Sequence, residues 1–137
     1  MRSKKYMNEI DIINTLRNSF SNDAIKQQVL DENWYQRNIV NGIDSTGFCF
    51  SASEVLYRLT GGTNVWLVVS INDPRDWENG THYFLKRREN NEIVDITANQ
   101  YTLRGINIPY AMGRGTGLRF VSNKARLLAR LSGLGEL

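Results

Sequence analysis

The first 44 residues carry apolar side chains at three- and four-residue spacing, which is the pattern of amphipathic helices. Polar Ser21 and Asn22 interrupt this pattern, and either can cap a following helix. The apolar positions of the first predicted helix are Met7, Ile10, Ile13, Leu16 and Phe20, and those of the second are Ala24, Ile25, Val29, Leu30 and Trp34. We expect the second helix to end before Gly42.

A third helix is predicted between the polar connection at 41–47 and the pair Gly61-Gly62, which ends it. Ser45 or Thr46 is expected to cap its start. The apolar face consists of Cys49, Ala52, Val55, Leu56 and Leu59. Cys49 would therefore lie in the first turn, where the partial positive charge of the helix start favours a thiolate.

The periodicity changes in the second half of the chain. Strands are predicted at 65–71, 81–87, 93–96 and 118–121, with a loop at 72–80 and a short basic helix at 123–131. Helices that precede an antiparallel sheet indicate an α+β fold, with N-terminal helices packed on a small antiparallel sheet. We expect one domain over 1–137, with a helical part at 1–44, a core at 45–121 and a basic C-terminal helix and tail at 122–137.

Composition and charge restrict the classes of function. No apolar run reaches the roughly 18 residues that span a bilayer, and no apolar stretch follows the basic N-terminus as in a secretory signal. The single cysteine favours a reducing compartment, so a cytoplasmic location is expected. One cysteine and one histidine are too few for a closed zinc site, so no metal is expected.

Positive charge is concentrated in the C-terminal third. Residues 101–137 carry six Lys/Arg against Glu136 alone, whereas residues 1–100 carry 11 Lys/Arg against 13 Asp/Glu. This asymmetry would allow nucleic-acid binding, although no nucleic-acid motif accompanies it. The alternative interpretation is a solvated face of the final helix.

Three residues form a candidate Cys-His-Asp catalytic triad: Cys49 at a helix start, His82 on a strand and Asp95 on the next strand. Such chemistry needs a thiolate, an imidazole within hydrogen-bond reach and a group that orients the ring. Each residue also has an ordinary explanation, as a core thiol, a satisfied polar group or a strand cap.

The strand register decides whether the last two side chains meet. Direct pairing of His82 with Asp95 centres the turn on Arg88-Glu89, whereas a turn at Asn90-Asn91 places His82 opposite Asn99. Both registers keep His82 and Asp95 on one face of the sheet.

Four stretches together resemble the transglutaminase-like branch of the papain-like cysteine-protease superfamily. They are Gly47-Phe48-Cys49-Phe50-Ser51-Ala52-Ser53-Glu54-Val55-Leu56, Gly61-Gly62, Thr81-His82-Tyr83-Phe84-Leu85 and Ile93-Val94-Asp95-Ile96-Thr97. The chain is also similar to small phage-encoded proteins of that type, through Ala98, Tyr101, Tyr110 and Gly113-Arg114-Gly115. It departs from them where Ile96 replaces a proline.

The resemblance implies a papain-like core with Cys49 as nucleophile, His82 as base and Asp95 as orienting group. Trp77, Ser51, Tyr110 and Arg114 are candidate substrate-binding residues. The upstream glutamine that papain-type proteases use to stabilise the oxyanion has no clear counterpart, with Gln36 and Asn41 as the available guesses.

The sequence thus predicts a cofactor-independent cysteine hydrolase or acyltransferase that acts on a protein or peptide: an amide or peptide hydrolase, a deamidase or a transglutaminase-like enzyme. The alternative is a catalytically inactive binding or inhibitor protein on the same fold. If phage-encoded, it would act on a host protein in the host cytoplasm.

Overall fold

The computed structural model describes residues 8–72 and 81–137. Within these ranges lie six α-helices, α1 Glu9–Phe20, α2 Asp23–Val29, α3 Glu32–Asn41, α4 Cys49–Leu59, α5 Asn99–Thr102 and α6 Asn123–Leu131. Four strands accompany them, β1 Trp66–Ile71, β2 His82–Arg87, β3 Ile93–Val94 and β4 Arg114–Thr116. The α+β class is confirmed, with a small antiparallel sheet.

The segment predicted as one helix up to Gly42 forms two helices, α2 and α3. Leu30 is extended, with ψ 140°, and breaks the hydrogen-bond ladder between them. The side chain of Asp31 then accepts a hydrogen bond from the backbone N–H of Trp34 at 2.9 Å and caps α3. The apolar periodicity continues across this break, which is why the pattern alone predicted a single helix.

Helix α4 begins at Cys49 and ends before Gly61-Gly62, whose positive φ angles of 115° and 58° end it as predicted. The predicted caps are wrong. Ser45 donates to the Asn99 side chain at 2.5 Å, and Thr46 donates to Asn41 at 3.2 Å. The first turn of α4 consequently has no side-chain cap.

The four strands pair in the order β3-β2-β1-β4, and every pairing is antiparallel. The strand predicted at 118–121 is absent from the sheet, and β4 lies just before it. Phe120 is 84% exposed, so the apolar pattern there does not reflect burial. Leu118 instead offers its carbonyl to Arg58 at 3.4 Å, and Ser122 caps α6.

The hairpin between β2 and β3 has a register that neither predicted turn gives. Leu85 pairs with Val94 and Lys86 with Ile93, which centres the turn on residues 89–90. Extending this pairing puts Asp95, the residue after β3, opposite Phe84. Because Phe84 and His82 are two residues apart, Asp95 and His82 share a face, as predicted, and meet diagonally.

The sheet separates two groups of buried side chains. Alternate residues Trp66 and Val68 pack with α4 in the larger core, whereas Val69, Ile71 and Phe84 pack with Tyr101 in a smaller one. Ser53 of α4 also donates to the Tyr83 carbonyl of β2 at 3.3 Å. Helix α4 is thereby fixed against the strand that begins with His82.

None of the helices in residues 8–72 and 81–137 is long and apolar enough to cross a membrane.

Candidate functional site

Cys49 is the first residue of α4 and is half-buried. Its Sγ lies 3.6 Å from the carbonyl oxygen of Thr81, the residue before β2. The backbone N–H groups of the first helical turn have no intrahelical partner, and no side chain caps them. The sulfur therefore lies at the positive end of a helix, and its thiol can donate to the Thr81 carbonyl.

The imidazole of His82 is fully buried at the start of β2. Its Nε2 lies 2.7 Å from Oδ2 of Asp95, and its Nδ1 lies 3.4 Å from Nε2 of Gln100. The ring of Tyr101 contacts it edge-on, with centroids 4.9 Å apart. These contacts hold the ring in one orientation.

The pKa of His82 reflects contacts with both Asp95 and Cys49. Burial lowers the pKa, but hydrogen bonds to Asp95 and Cys49, together with the negative charge of both partners, outweigh burial and raise it to about 9. Asp95 lies at Nε2 and the Gln100 amide lies 3.4 Å from Nδ1, and the Cys49 side chain is close enough to the ring to raise its pKa. The imidazole therefore responds to both the thiol and the carboxylate.

Asp95 is nearly inaccessible, with 4% of its side chain exposed. Its Oδ2 accepts a hydrogen bond from the Tyr110 hydroxyl at 2.8 Å in addition to the contact with His82. Burial, the negative charge of Asp95 and the hydrogen bond to it raise the pKa of Tyr110. The phenol therefore remains a neutral donor to the carboxylate at physiological pH.

Cys49 lines a cavity of about 330 Å³. Trp34, Phe50, Tyr83 and Tyr101 contribute aromatic side chains, and Arg37, Arg104 and Lys124 contribute positive charge. Asn41, Ser51 and Gln100 line it as well. A substrate in this cavity would have direct access to the sulfur.

The candidate substrate-binding residues that the structure describes do not lie at one site. Ser51 lines the Cys49 cavity, but its hydroxyl donates to the Phe48 carbonyl at 3.4 Å. Tyr110 is not among the residues that line this cavity, and its hydroxyl donates to Asp95. Arg114 lines a separate cavity with Ser70 and Met112. Trp77 lies outside the described residues.

Several residues of the site were not found from the sequence. Gln100 is buried between His82 and the Thr97 hydroxyl, which lies 3.0 Å from its Nε2. Arg37 and Arg104 border the cavity from α3 and from the turn after α5. No local motif marks these residues, because only the tertiary packing of α3 and α5 brings them to Cys49.

Of the two candidates for an oxyanion-stabilising amide, Gln36 and Asn41, only Asn41 lines the cavity. Gln36 bonds Glu32 at 2.7 Å, on the same helix, and is not among the residues that line the cavity. Asn41 lines the cavity, and its Oδ1 accepts from the Ile43 N–H at 2.9 Å and from the Thr46 hydroxyl. The oxygen is thereby occupied, which leaves the Asn41 NH₂ group as the donor available to a ligand.

Potential metal ligands do not cluster within residues 8–72 and 81–137: no three His, Cys, Asp or Glu side chains are close enough to share an ion.

Comparison with known proteins gives no match, either to a protein-family model, to a curated protein or to a solved structure.

Proposed function

We propose that this chain is a cysteine-dependent acyl-transfer enzyme with a papain-like, transglutaminase-like core, in which Cys49, His82 and Asp95 form the catalytic triad. The observation that supports it best is the position of the His82 ring. Asp95 holds the ring at Nε2, the Cys49 side chain contributes to its raised pKa, and its neighbours Gln100 and Tyr101 line the same cavity as Cys49. These are the relations that thiol-dependent acyl transfer requires.

The proposed resting state is an ion pair. With a pKa raised to about 9, His82 carries a proton at neutral pH and can stabilise negative charge on the Cys49 sulfur. The Gln100 amide can donate through its NH₂ group to a neutral imidazole, or turn over and accept through its oxygen from a protonated one. It therefore fits both charge states of His82. The thiolate is stabilised by the imidazolium and by the start of α4.

In the first half of the reaction, the sulfur attacks the carbonyl carbon of an amide or ester and forms a C–S bond. The negative charge moves to the carbonyl oxygen, where backbone N–H groups of the α4 first turn and the Asn41 amide are the donors at hand. As the C–N or C–O bond breaks, the electron pair leaves with the nitrogen or oxygen. His82 supplies the proton to an amine leaving group.

In the second half, water or an amine attacks the thioester and His82 accepts its proton. The C–S bond then breaks, and Cys49 returns to the thiolate. Water as acceptor gives hydrolysis or deamidation, and an amine gives transamidation. A protein or peptide is the proposed acyl donor, since it supplies the amide carbonyl that this sequence of steps needs.

The test uses the sole cysteine of the chain as its own reporter. Incubation with p-nitrophenyl acetate should add one acetyl group to Cys49, detected by intact-protein mass spectrometry and located by peptide mapping. Cys49→Ser should remove the adduct. His82→Ala should slow acylation at neutral pH by about 10- to 100-fold, because a thiol without the neighbouring imidazolium is only a few per cent thiolate at pH 7.

Glu89→Gln, in the exposed turn between β2 and β3, serves as the control for a change outside the site. An acetylation rate equal to that of a free thiol such as glutathione, and unchanged in His82→Ala, would eliminate the proposed enzyme. That result would favour the binding or inhibitor protein.

A further inference from the structure

Positive charge lines the Cys49 cavity without acidic side chains among its described lining residues. Arg37, Arg104 and Lys124 all border it. Lys124 has a partner, since its Nζ lies 3.6 Å from Oδ2 of Asp31. Within residues 8–72 and 81–137, neither Arg37 nor Arg104 has an ion pair.

Among the described arginines, two outside the cavity are ion-paired, whereas Arg37, Arg104 and the others are not. Arg58 pairs with Glu54 at 2.8 Å, and Arg87 pairs with both Glu9 and Glu92 at 2.6 and 2.9 Å. Those side chains have their guanidinium donors satisfied by carboxylates inside the fold. The two cavity arginines have no carboxylate partner among the described residues, so a ligand in the cavity could bind them.

Both cavity arginines are held in place by contacts that do not neutralise them. The guanidinium of Arg37 lies over the Trp34 ring at 5.0 Å, and that of Arg104 lies over Tyr101 at 5.5 Å. Arg104 also donates its Nε–H to the Gln100 carbonyl at 2.9 Å. A guanidinium stacked on an aromatic face keeps its edge donors free, and these suit the two oxygens of a carboxylate.

We propose that the cavity selects acyl donors that carry a carboxylate beside the reacting carbonyl, as in a peptide with glutamate or aspartate next to the acylating residue. This inference rests on the proposed acyl-transfer function. A nucleic acid would also satisfy the arginines, but its backbone offers phosphorus and no acyl carbon for the thiolate. A carboxylate-bearing peptide satisfies both the charge and the chemistry of the cavity.

Two matched electrophiles test this selection: N-chloroacetyl-glutamic acid α-amide and N-chloroacetyl-glutamine α-amide. They have almost the same shape and differ in one negative charge. The rate of Cys49 alkylation by each is followed by mass spectrometry, and the ratio of the two rates is compared with the ratio for glutathione. We expect the wild-type ratio to exceed that of glutathione by about 10- to 100-fold, the range for a hydrogen-bonded charged pair.

The double variant Arg37→Gln/Arg104→Gln should bring the ratio close to the glutathione value. The glutamine probe in the same variant serves as the internal reference for any change in thiol reactivity. Arg37→Gln alone is the second variant, because Arg37 makes no hydrogen bond to another described residue. Arg126→Gln, an exposed position of α6 outside the cavity lining, is the charge-matched control and should retain the wild-type ratio.

Two results would overturn the inference while leaving the acyl-transfer proposal intact. One is rapid alkylation by both probes at a ratio equal to that of glutathione. The other is an equal ratio together with protection of Cys49 by a single-stranded oligodeoxynucleotide that is lost in the double variant, which would assign the cavity to nucleic acid. If iodoacetamide also reacts no faster with Cys49 than with glutathione, the acyl-transfer proposal itself fails, and the inference with it.

Discussion

Tyr110 and His82 bind the same oxygen of Asp95. The phenol donates to Oδ2 at 2.8 Å, and the imidazole Nε2 lies 2.7 Å from it. The Tyr110 ring also packs edge-on against Phe84, with centroids 4.9 Å apart, and Phe84 lies on the same strand as His82. The carboxylate is thus held between a strand and the turn at 110–112, and its orientation depends on both.

Tyr110→Phe should destabilise the protein by about 1.5–3 kcal/mol, the range for a hydrogen bond to a charged group. Asp95 is buried, so water cannot readily replace the lost hydroxyl. The free energy of unfolding from urea titration measures the loss. Tyr35→Phe is the matched control, because its hydroxyl donates at the same 2.8 Å to Asp23 on an exposed surface. A loss for Tyr110→Phe no larger than for Tyr35→Phe would contradict the supporting role of Tyr110.

The only histidine of the chain gives a single imidazole signal to follow by NMR. We expect it to titrate at about 9, because the bonds and charges of Asp95 and Cys49 outweigh the effect of burial. Asp95→Asn removes one of these charges and should lower the pKa, since burial then acts against fewer opposing contacts. Cys49→Ala should lower it as well.

Glu89→Gln, in the exposed hairpin turn, should leave the His82 titration unchanged and controls for a general change in net charge. A pKa near the ordinary 6.5 in the wild type, or the same value in all variants, would show that the imidazole does not respond to the two groups.

The sequence predicted much of this site because its members lie at recognisable ends of secondary structure. Cys49 begins a helix and His82 begins a strand, and each boundary carries a periodicity signal. The face shared by His82 and Asp95 was also predictable, since any even shift of register preserves it. The register itself was not, because the loop between Arg87 and Glu92 has four residues, 88–91, with Asn91 at φ 64°, and is longer than the two-residue turns considered.

What the sequence left undetermined depends on packing between distant segments. Gln100 reaches His82 from a four-residue helix too short to produce an amphipathic pattern. Arg37 lies on α3, which the apolar periodicity joined to α2. The hydrogen bond from Tyr110 to Asp95 was not predicted for a similar reason, because the position of Tyr110 depends on how the chain from 103 to 109 returns to the sheet.

Gly47 tests how closely the start of α4 is packed. Its φ is +92°, and a Cβ atom there would lie 2.9 Å from Cδ2 of Leu30 and 3.3 Å from Cβ of Trp34. Gly47→Ala should therefore cost about 1–2 kcal/mol for the left-handed backbone and about 1–3 kcal/mol more for the displaced neighbours. Urea unfolding measures the sum, and the alkylation rate of Cys49 should fall with it.

Gly105→Ala separates the cost of the left-handed backbone from the cost of displaced neighbours. Its φ is +76°, but no atom lies within 4 Å of its Cβ position, so it should lose only the backbone term. Equal losses in the two variants would mean that Leu30 and Trp34 move aside freely and that the start of α4 is not tightly held.

The pH dependence of acylation should differ between two acetyl donors that differ in their leaving group. His82 must be protonated to deliver a proton to a departing amine, so single-turnover acylation by p-nitroacetanilide should fall as the pH rises through about 9, where the imidazolium loses its proton. With p-nitrophenyl acetate the departing phenolate needs no proton, and the thiolate persists at high pH. Its acylation rate should therefore not fall in that range.

In Asp95→Asn the decline with the anilide should move to lower pH, because the His82 pKa is lower. A decline at about 9 with both donors would instead mean that protonation of the leaving group does not limit acylation, which would contradict the role of His82 as general acid.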